Sequence, residues 1–401
     1  MASEKVKING GEYPIITRKD GRLEARIWNP YLKKQNSVYA YDKTELKRKI
    51  RDKLIAITQT KIDPTKDTVD QYIGKWLYTY KAATVRRTSF DTNERMFRRY
   101  ISPVIGTMKF KEVTDTELQQ VLNTVAETYA FSTVKKTKEV LQQCWTFAYN
   151  RGDIERNPMN LVKTPKEEMC GKPTKTIHIY TEAELKRILA AIIDYYNTKH
   201  YYRVSPIFIF LANTGLRIGE ALALTFDDLD LENRTIRVNK TITRVKCRGK
   251  DNALKKKNGL NSEYIITPPK TQSSNRIVDL NETAIWAIEE VQRRNQEMQI
   301  PKSCYIFCSE LGNFFNPRSI EDTMRRVCIR AGVSYYGLHA LRHTFASRCF
   351  EKGVAIEVVS KILGHANPTI TTKIYIHILP HVKKLAVNIL DKETRYLLKS
   401  S

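Results

Sequence analysis

The sequence predicts a multidomain chain: a small α+β domain with a three-stranded sheet plus helix, an all-α bundle, and a mainly α domain carrying a small β-sheet or hairpin. Three observations carry this. The 401 residues suffice for two or three domains of ~100–200 residues each. Alternation of apolar and polar residues, the period of a half-buried strand, is concentrated in residues 13–41, and helical periodicity takes over from about residue 69. A stretch rich in proline and lysine then interrupts that periodicity before the last and largest segment. The boundaries read as residues 1–62, residues 66–156, a linker at 157–175, and residues 176–401.

In the first segment, Tyr13-Pro14-Ile15-Ile16-Thr17, Leu23-Glu24-Ala25-Arg26-Ile27-Trp28 and Ser37-Val38-Tyr39-Ala40-Tyr41 are the three strands, with Asp20-Gly21 as the first hairpin turn. A basic helix follows from about Thr44 to Ile57. The first sixty residues hold 14 Lys+Arg against 7 Asp+Glu. In the second segment Val69, Tyr72, Ile73, Trp76, Leu77 and Tyr80 recur at helical spacing. Thr114-x-x-Glu117 is a capping box ahead of Leu118, Val121, Leu122 and Val125. Ser132 is expected to cap a longer helix that buries Val134, Leu141, Trp145 and Ala148 and stops at Gly152. A second capping box, Thr181-x-x-Glu184, opens the third segment ahead of Leu185, Ile188, Leu189 and Ile192.

Composition narrows the function. With 68 Lys+Arg against 43 Asp+Glu, the formal net charge is +25, a self-repulsion whose usual reason is a polyanionic partner. Nucleic acid fits better than a membrane, because the longest apolar run, Pro206 to Ala212, falls far short of the ~20 residues that span a bilayer. The amino terminus MASEKVKING has no apolar signal-peptide core, so a cytoplasmic location is expected. The seven cysteines (144, 170, 247, 304, 308, 328, 349) are scattered, without a CxxC pair, and read as reduced, mostly core thiols. Tyr305-Ile306-Phe307, between Cys304 and Cys308, looks like a strand, and no neighbouring Cys or His completes a zinc set.

The chemistry concentrates in the third segment. Gly215 is a helix terminator that leaves Arg217 at the start of the next helix, where a guanidinium fork and oriented backbone N–H groups suit a phosphate. In Leu338-His339-Ala340-Leu341-Arg342-His343-Thr344-Phe345, apolar Leu338, Leu341 and Phe345 face inward while His339 and Arg342, three apart, share a face. Gly364 ends a further helix and presents His365 on the turn, and Thr371-Thr372-Lys373-Ile374-Tyr375 opens a short helix bearing a tyrosine. Five of the seven histidines lie between 339 and 381, but the His339/His343 pair lacks the intervening Glu and third ligand of a metal site.

Arg217, His339 with Arg342, His365 and Tyr375, in this order and spacing, resemble the active-site signature of the tyrosine recombinases. The match covers about residues 176–385. The bundle resembles that family's core-binding domain, and the first segment resembles the arm-binding domain of integrases from phages and conjugative transposons. Pro268-Pro269-Lys270-Thr271-Gln272 through Leu280 resembles the hairpin that carries the family's lysine, with Lys270 at the matching position; an unusually basic stretch, Arg244 to Lys257, lengthens this hairpin. Phe226 stands where many relatives carry Trp, and Ile376 follows the tyrosine.

The resemblance implies metal- and ATP-independent DNA strand transfer that integrates and excises a mobile element through a 3′-phosphotyrosyl intermediate and a Holliday junction. Tyr375 would be the nucleophile, Arg217 and Arg342 the phosphate ligands, Lys270 the acid for the leaving 5′-oxygen, His339 the base, and His365 a hydrogen-bond donor to phosphate. Glu220 reads as a structural partner of a buried basic group, and His343 and His377 as hydrogen-bonded residues near the core. Tyr335 and Tyr336 are alternative nucleophiles. The helix after Leu379-Pro380-His381 (Val382, Leu385, Ala386, Ile389) would dock on a neighbouring protomer. The implied partners are duplex DNA with core and arm sites, a homo-tetramer on that DNA, an excisionase-type directionality factor and a host DNA-bending protein, with no cofactor. Competing classes are a type IB topoisomerase-like strand transferase and a non-catalytic DNA-binding regulator.

Overall fold

A computed structural model describes residues 5–376 and 391, except 9–10, 30–33, 59–61, 175, 199–202, 250–253, 255–256, 258, 270–271, 368, 370 and 373. It divides into two compact units, one formed by Met1–Lys175 with Arg244–Glu263, the other by Thr176–Thr243 with Tyr264–Ser401.

The first unit begins with a four-stranded antiparallel sheet of β1 (Lys5–Ile8), β2 (Gly11–Thr17), β3 (Leu23–Asn29) and β4 (Lys34–Ala40), in that order, backed by helix α1 (Lys43–Thr58). The sheet therefore has one strand more than expected. Only four residues long, β1 shows too little alternation to stand out, yet Val6 and Ile8 are buried and it pairs with β2 from Lys5↔Pro14 to Ile8↔Gly11. The predicted turn at Asp20-Gly21 is present, with Gly21 in the left-handed region at φ +77°. Ile15, Ala25, Ile27, Val38 and Ala40 face Leu46 and Ile50 of α1.

The bundle follows. Helix α2 (Val69–Trp76) widens into a π turn at Leu77–Lys81 and runs on as α3 (Ala82–Thr84). That turn adds a residue to the repeat and rotates Tyr80 off the apolar stripe, so it is exposed while Val69, Tyr72, Ile73, Trp76 and Leu77 are buried. In the same way α4 (Arg87–Met96) passes through a π turn into α5 (Ser102–Ile105). Helix α6 (Asp115–Thr128) has the expected Thr114/Glu117 capping box. Helix α7 (Phe131–Asn150) starts at an Ala130 cap rather than at Ser132, because Ala130 is fixed by pairing with Lys172 and its carbonyl accepts from Thr133. Tyr72 stacks on Phe110 at 3.6 Å, and Phe110 on Trp145 at 4.9 Å. The stretch read as a linker is partly folded, since Met159 and Val162 join the bundle core and Gly171 donates to the Ala126 carbonyl.

The second unit is built around α9 (Pro206–Thr214), an almost wholly buried helix. Before it comes α8 (Glu182–Thr198), opened by the Thr181/Glu184 box, and after it α10 (Ile218–Ala221). Strands β5 (Leu229–Asp230) and β6 (Thr235–Val238), with the later β9 (Arg276–Asp279), form a sheet of order β5-β6-β9; β7 (Thr241–Lys246) pairs with β8 (Ser262–Thr267), and of these two strands residues 244–246 and 262–263 belong to the first unit. The chain continues through α11 (Glu282–Glu297), α12 (Pro317–Arg330), α13 (His339–Glu351) and α14 (Ile356–Leu363). Helix α9 packs on α8, α10, α11 and α13. The strand expected at Tyr305–Phe307 is not formed. Ile306 and Phe307 are both fully buried, but no ladder forms through them: among the described residues only the isolated pairings Thr225↔Tyr305 and Cys308↔Phe314 flank them.

Candidate active site

Two left-handed glycines set the site. Gly215 (φ +64°) terminates α9, and a Cβ there would lie 2.5 Å from Phe345 and 2.8 Å from Leu363, so only glycine lets the chain turn so close to α13 and α14. Two residues on, Arg217 caps α10. Its backbone N–H donates to Glu220 Oε2 at 3.0 Å and its Nη1 to Glu220 Oε1 at 2.7 Å. Gly364 (φ +65°) ends α14, and the turn holds His365, whose Nδ1 is 2.7 Å from the hydroxyl of buried Thr371.

Helix α13 supplies the third side. Arg342 is 1% exposed, donating from Nη1 to the Gly215 carbonyl at 2.8 Å and from Nη2 to the Leu363 carbonyl at 2.6 Å. One side chain thereby ties both glycine turns to α13. Its Nε is buried with no hydrogen-bond partner among the described residues. His339, one turn earlier, meets His343 edge-on at 4.6 Å. Contrary to the expected hydrogen-bonded histidine, His343 has a buried Nδ1 without a partner among the described residues. Leu338 and Phe345 are half-buried rather than core residues, whereas Leu341 is buried.

Tyr375 is half-buried, its ring edge-on to Phe350 of α13 at 5.4 Å, in a small cluster that also holds Leu363. Arg217, His339, Arg342, His365 and Tyr375 are therefore carried on elements packed together. Lys270 lies outside the described residues, as do His377 and the helix expected over 382–389. Of the alternative nucleophiles, Tyr335 is already engaged as a donor to Glu321 at 3.0 Å, and Tyr336 stacks on His178 at 4.3 Å.

Burial and crowded cations set the protonation states. His339 is exposed over much of its surface, and loss of solvent on its protein side, then His343, Arg342 and Arg217, lower it to about 4. Burial, then Arg342 and Arg217, push His365 down to about 3, and burial with Arg342 takes His343 to about 4. All three are neutral at pH 7. Burial and then Arg217 bring Arg342 down to about 9, still charged at neutral pH. The site thus presents two guanidinium groups and neutral imidazoles, which can bind a phosphodiester and accept a proton.

Sequence reasoning missed Arg276. At the start of β9 and almost buried, it donates to Glu220 Oε2 at 3.0 Å and to the Ile362 carbonyl at 2.6 Å. Its partners are 56 and 86 residues away, and no local pattern marks them. Thr371, which holds His365, was legible only as part of the segment before Tyr375.

No helix among the described residues is long and apolar enough to cross a membrane. The chain is 28% identical over 401 aligned residues to a "Tyrosine recombinase XerC-like" protein of Caldanaerobacter subterraneus subsp. tengcongensis, covering 96% of this chain and 97% of that protein. It is 24% identical to the transposase of transposon Tn916 from Enterococcus faecalis, over 74% of this chain and 73% of that one. Its fold matches the Tn1549 transposon integrase solved with transposon right-end DNA (TM-score 0.64, 24% identity, 81% of this chain and 99% of that one). It also matches a lambda integrase dimer solved on a core site (TM-score 0.53, 14% identity, 90% of this chain and 93% of that one). Residues 70–164 match the model of the phage integrase central domain, and residues 179–381, half of the chain, match that of the phage integrase family. The chain belongs to the phage integrase family and is a tyrosine-type site-specific recombinase.

Proposed function

We propose that the chain integrates and excises a mobile DNA element, with Tyr375 as the nucleophile. The phenol oxygen of Tyr375 attacks the scissile phosphorus, a 3′-phosphotyrosyl bond forms, and the bond to the 5′-oxygen breaks. Arg217 and Arg342 bind the non-bridging oxygens and stabilise the charge that develops in the transition state. Neutral His339 accepts the phenol proton, Lys270 donates a proton to the leaving 5′-oxygen, and His365 donates a hydrogen bond to the phosphate. A 5′-hydroxyl from a second duplex then attacks the phosphotyrosine and restores the diester.

The observation that carries this reading is the grip of Arg342 on both glycine turns, one leading to Arg217 and the other to His365, beside the helix of Tyr375. The relatives named for transposition and the integrases solved on DNA support a duplex DNA substrate. We assign residues 1–62 to arm-type sites, 66–156 to the core site and 176–401 to catalysis, with a tetramer as the working form. Lambda integrase has been solved as a tetramer on a Holliday junction, which supports that last assignment.

Nicked duplexes tiled across the DNA that flanks the coding sequence test the reading. The wild-type protein should form an SDS-resistant adduct on at least one duplex. Tyr375→Phe should form none while binding that duplex within about twofold of wild type, since a hydroxyl is lost and no charge changes. An undiminished adduct moves the nucleophile elsewhere. Lys270→Ala should cleave slowly and recover on a duplex with a 5′-bridging sulfur, a leaving group that needs no proton; failure to recover assigns the acid to another residue.

A further inference from the structure

Arg276 has a geometry that strand packing does not require. It opens β9 opposite Val238 of β6, and its side chain is 7% exposed, so it stands between the sheet and the active site, away from solvent. Among the described residues its guanidinium donates to three groups. Nη2 donates to Glu220 Oε2 at 3.0 Å, Nε to the Ile362 carbonyl at 2.6 Å, and Nη1 to the Ser274 carbonyl at 3.3 Å. Gly364 lies directly over it, and a Cβ there would sit 2.9 Å from Nη1 and 3.0 Å from Cδ.

Two consequences follow for the groups read as phosphate ligands. Glu220 is buried and shares its carboxylate between Arg217 and Arg276. Without Arg276, its only remaining cation in this set is Arg217, and a buried carboxylate with one partner draws that partner inward. With Arg276 present, one negative charge is divided between two guanidiniums, and Arg217 retains charge for a phosphate. Further, Arg276 and Arg342 hold consecutive carbonyls, Ile362 and Leu363, immediately before Gly364 and His365. Two rigid forks thus fix the turn from which His365 projects.

We propose that Arg276 is a positioning residue of the recombinase site, compensating Glu220 so that Arg217 keeps its charge for the scissile phosphate, and fixing the turn that carries His365. It acts through those residues without touching DNA. The inference rests on the reading of Arg217 and His365 as phosphate-binding groups.

A double-mutant cycle tests it, with the covalent adduct rate measured under single turnover on the nicked duplexes tiled across the flanking DNA. Arg276→Met should slow adduct formation about 100-fold, the scale of losing one preorganised donor, with duplex affinity unchanged within about threefold. In a Glu220→Gln background, where no carboxylate needs compensating, the same change should cost at least about tenfold less than it does in the wild type. Unfolding free energies of the four proteins are measured beside the rates: a merely structural arginine would place the coupling in stability and leave the single-turnover rate of the folded protein uncoupled. A difference between backgrounds of less than about tenfold overturns the proposal. Should Arg276→Met fail to fold, Arg276→Lys serves instead: it keeps a charge but cannot span both Glu220 and the Ile362 oxygen, and should lose about tenfold in rate. A lysine variant as fast as wild type overturns the proposal equally. If the wild-type protein forms no adduct on any duplex, the recombination chemistry itself is refuted, an outcome separate from an active wild type with an indifferent Arg276.

Discussion

The three histidines of the site couple catalysis to stability at the level of single residues. Folding lowers His339 and His343 to about 4 and His365 to about 3, from an ordinary value of 6.5. Between those values the unfolded chain binds protons that the folded chain refuses, so stability falls with falling pH. The contribution is complete above pH 6.5 and is lost as pH drops toward 4. Carboxylates produce a similar loss only at lower pH, because Glu220 and Glu94 are held below their ordinary 4.5. The melting temperature should therefore fall between pH 6.5 and 4.5, and His343→Phe, which removes a buried ring nitrogen lacking a partner, should make that decline shallower. An unchanged slope in calorimetry at several pH values would show that His343 does not resist protonation. In the proposed reaction, the same neutrality suits His339 to take a proton from Tyr375, since an imidazolium could not.

At the scale of elements, the site depends on where helices stop. Gly215→Ala requires a left-handed alanine and places its Cβ against Phe345 and Leu363, and it disturbs the carbonyl that accepts from Arg342. It should destabilise the second unit by more than about 1 kcal/mol in denaturant unfolding and abolish the adduct, whereas the same change at Gly152, which is left-handed but uncrowded, should cost stability only. A second test concerns Glu94 on α4, a fully buried carboxylate that accepts from Tyr78 and pairs with Arg98 at 3.0 Å, Lys246 at 3.1 Å and Arg248 at 2.6 Å. Burial opposes its charge, yet Arg248 first among its partners holds it down at about 2. Arg248→Met should cost about 3 kcal/mol in the unfolding of the first unit, because the buried carboxylate of Glu94 and the half-buried one of Asp91 keep fewer cations. A loss near zero would mean that the remaining partners suffice.

These elements also show what a sequence discloses. Capping boxes at Thr114 and Thr181 and the turns at Gly215 and Gly364 were legible because cap and partner are three or four residues apart, and Arg217, His339, Arg342, His365 and Tyr375 were legible as one pattern because they fall in order along the chain, on elements that pack together. By contrast, the Arg276–Glu220 and Arg248–Glu94 pairs span 56 and 154 residues, and a buried basic residue looks no different in sequence from the many exposed ones. The π turns after Trp76 and Met96 were equally hidden, since one inserted residue shifts a helical stripe without altering its composition.

For the whole molecule, the charge of +25 has several destinations. Arg276, Arg248, Lys246 and Arg98 are committed to buried or half-buried carboxylates and are not available to DNA. Arg18, Arg22 and Arg26 are paired with Glu24 and Asp20 on the amino-terminal sheet. What remains for a polyanion includes exposed Lys19, Lys47 and Arg48 in that domain, which were part of the basic excess seen in the first sixty residues. Each such cation that neutralises a phosphate adds about 0.9 to the slope of log affinity against log salt. Replacing Lys19, Lys47 and Arg48 together by Gln should therefore flatten that slope by up to about 3 on a long fragment of flanking DNA, with adduct formation on the short cleaved duplex unchanged. Filter-binding titrations between low and moderate salt measure the first effect and SDS gels the second. A slope that does not change on the long fragment would remove the amino-terminal domain from the DNA interface, and a lost adduct would mean that this domain also serves the cleaved core. Retained cleavage with a flatter slope would separate the charge that holds DNA at a distance from the few cations that the proposed reaction places at the scissile phosphate.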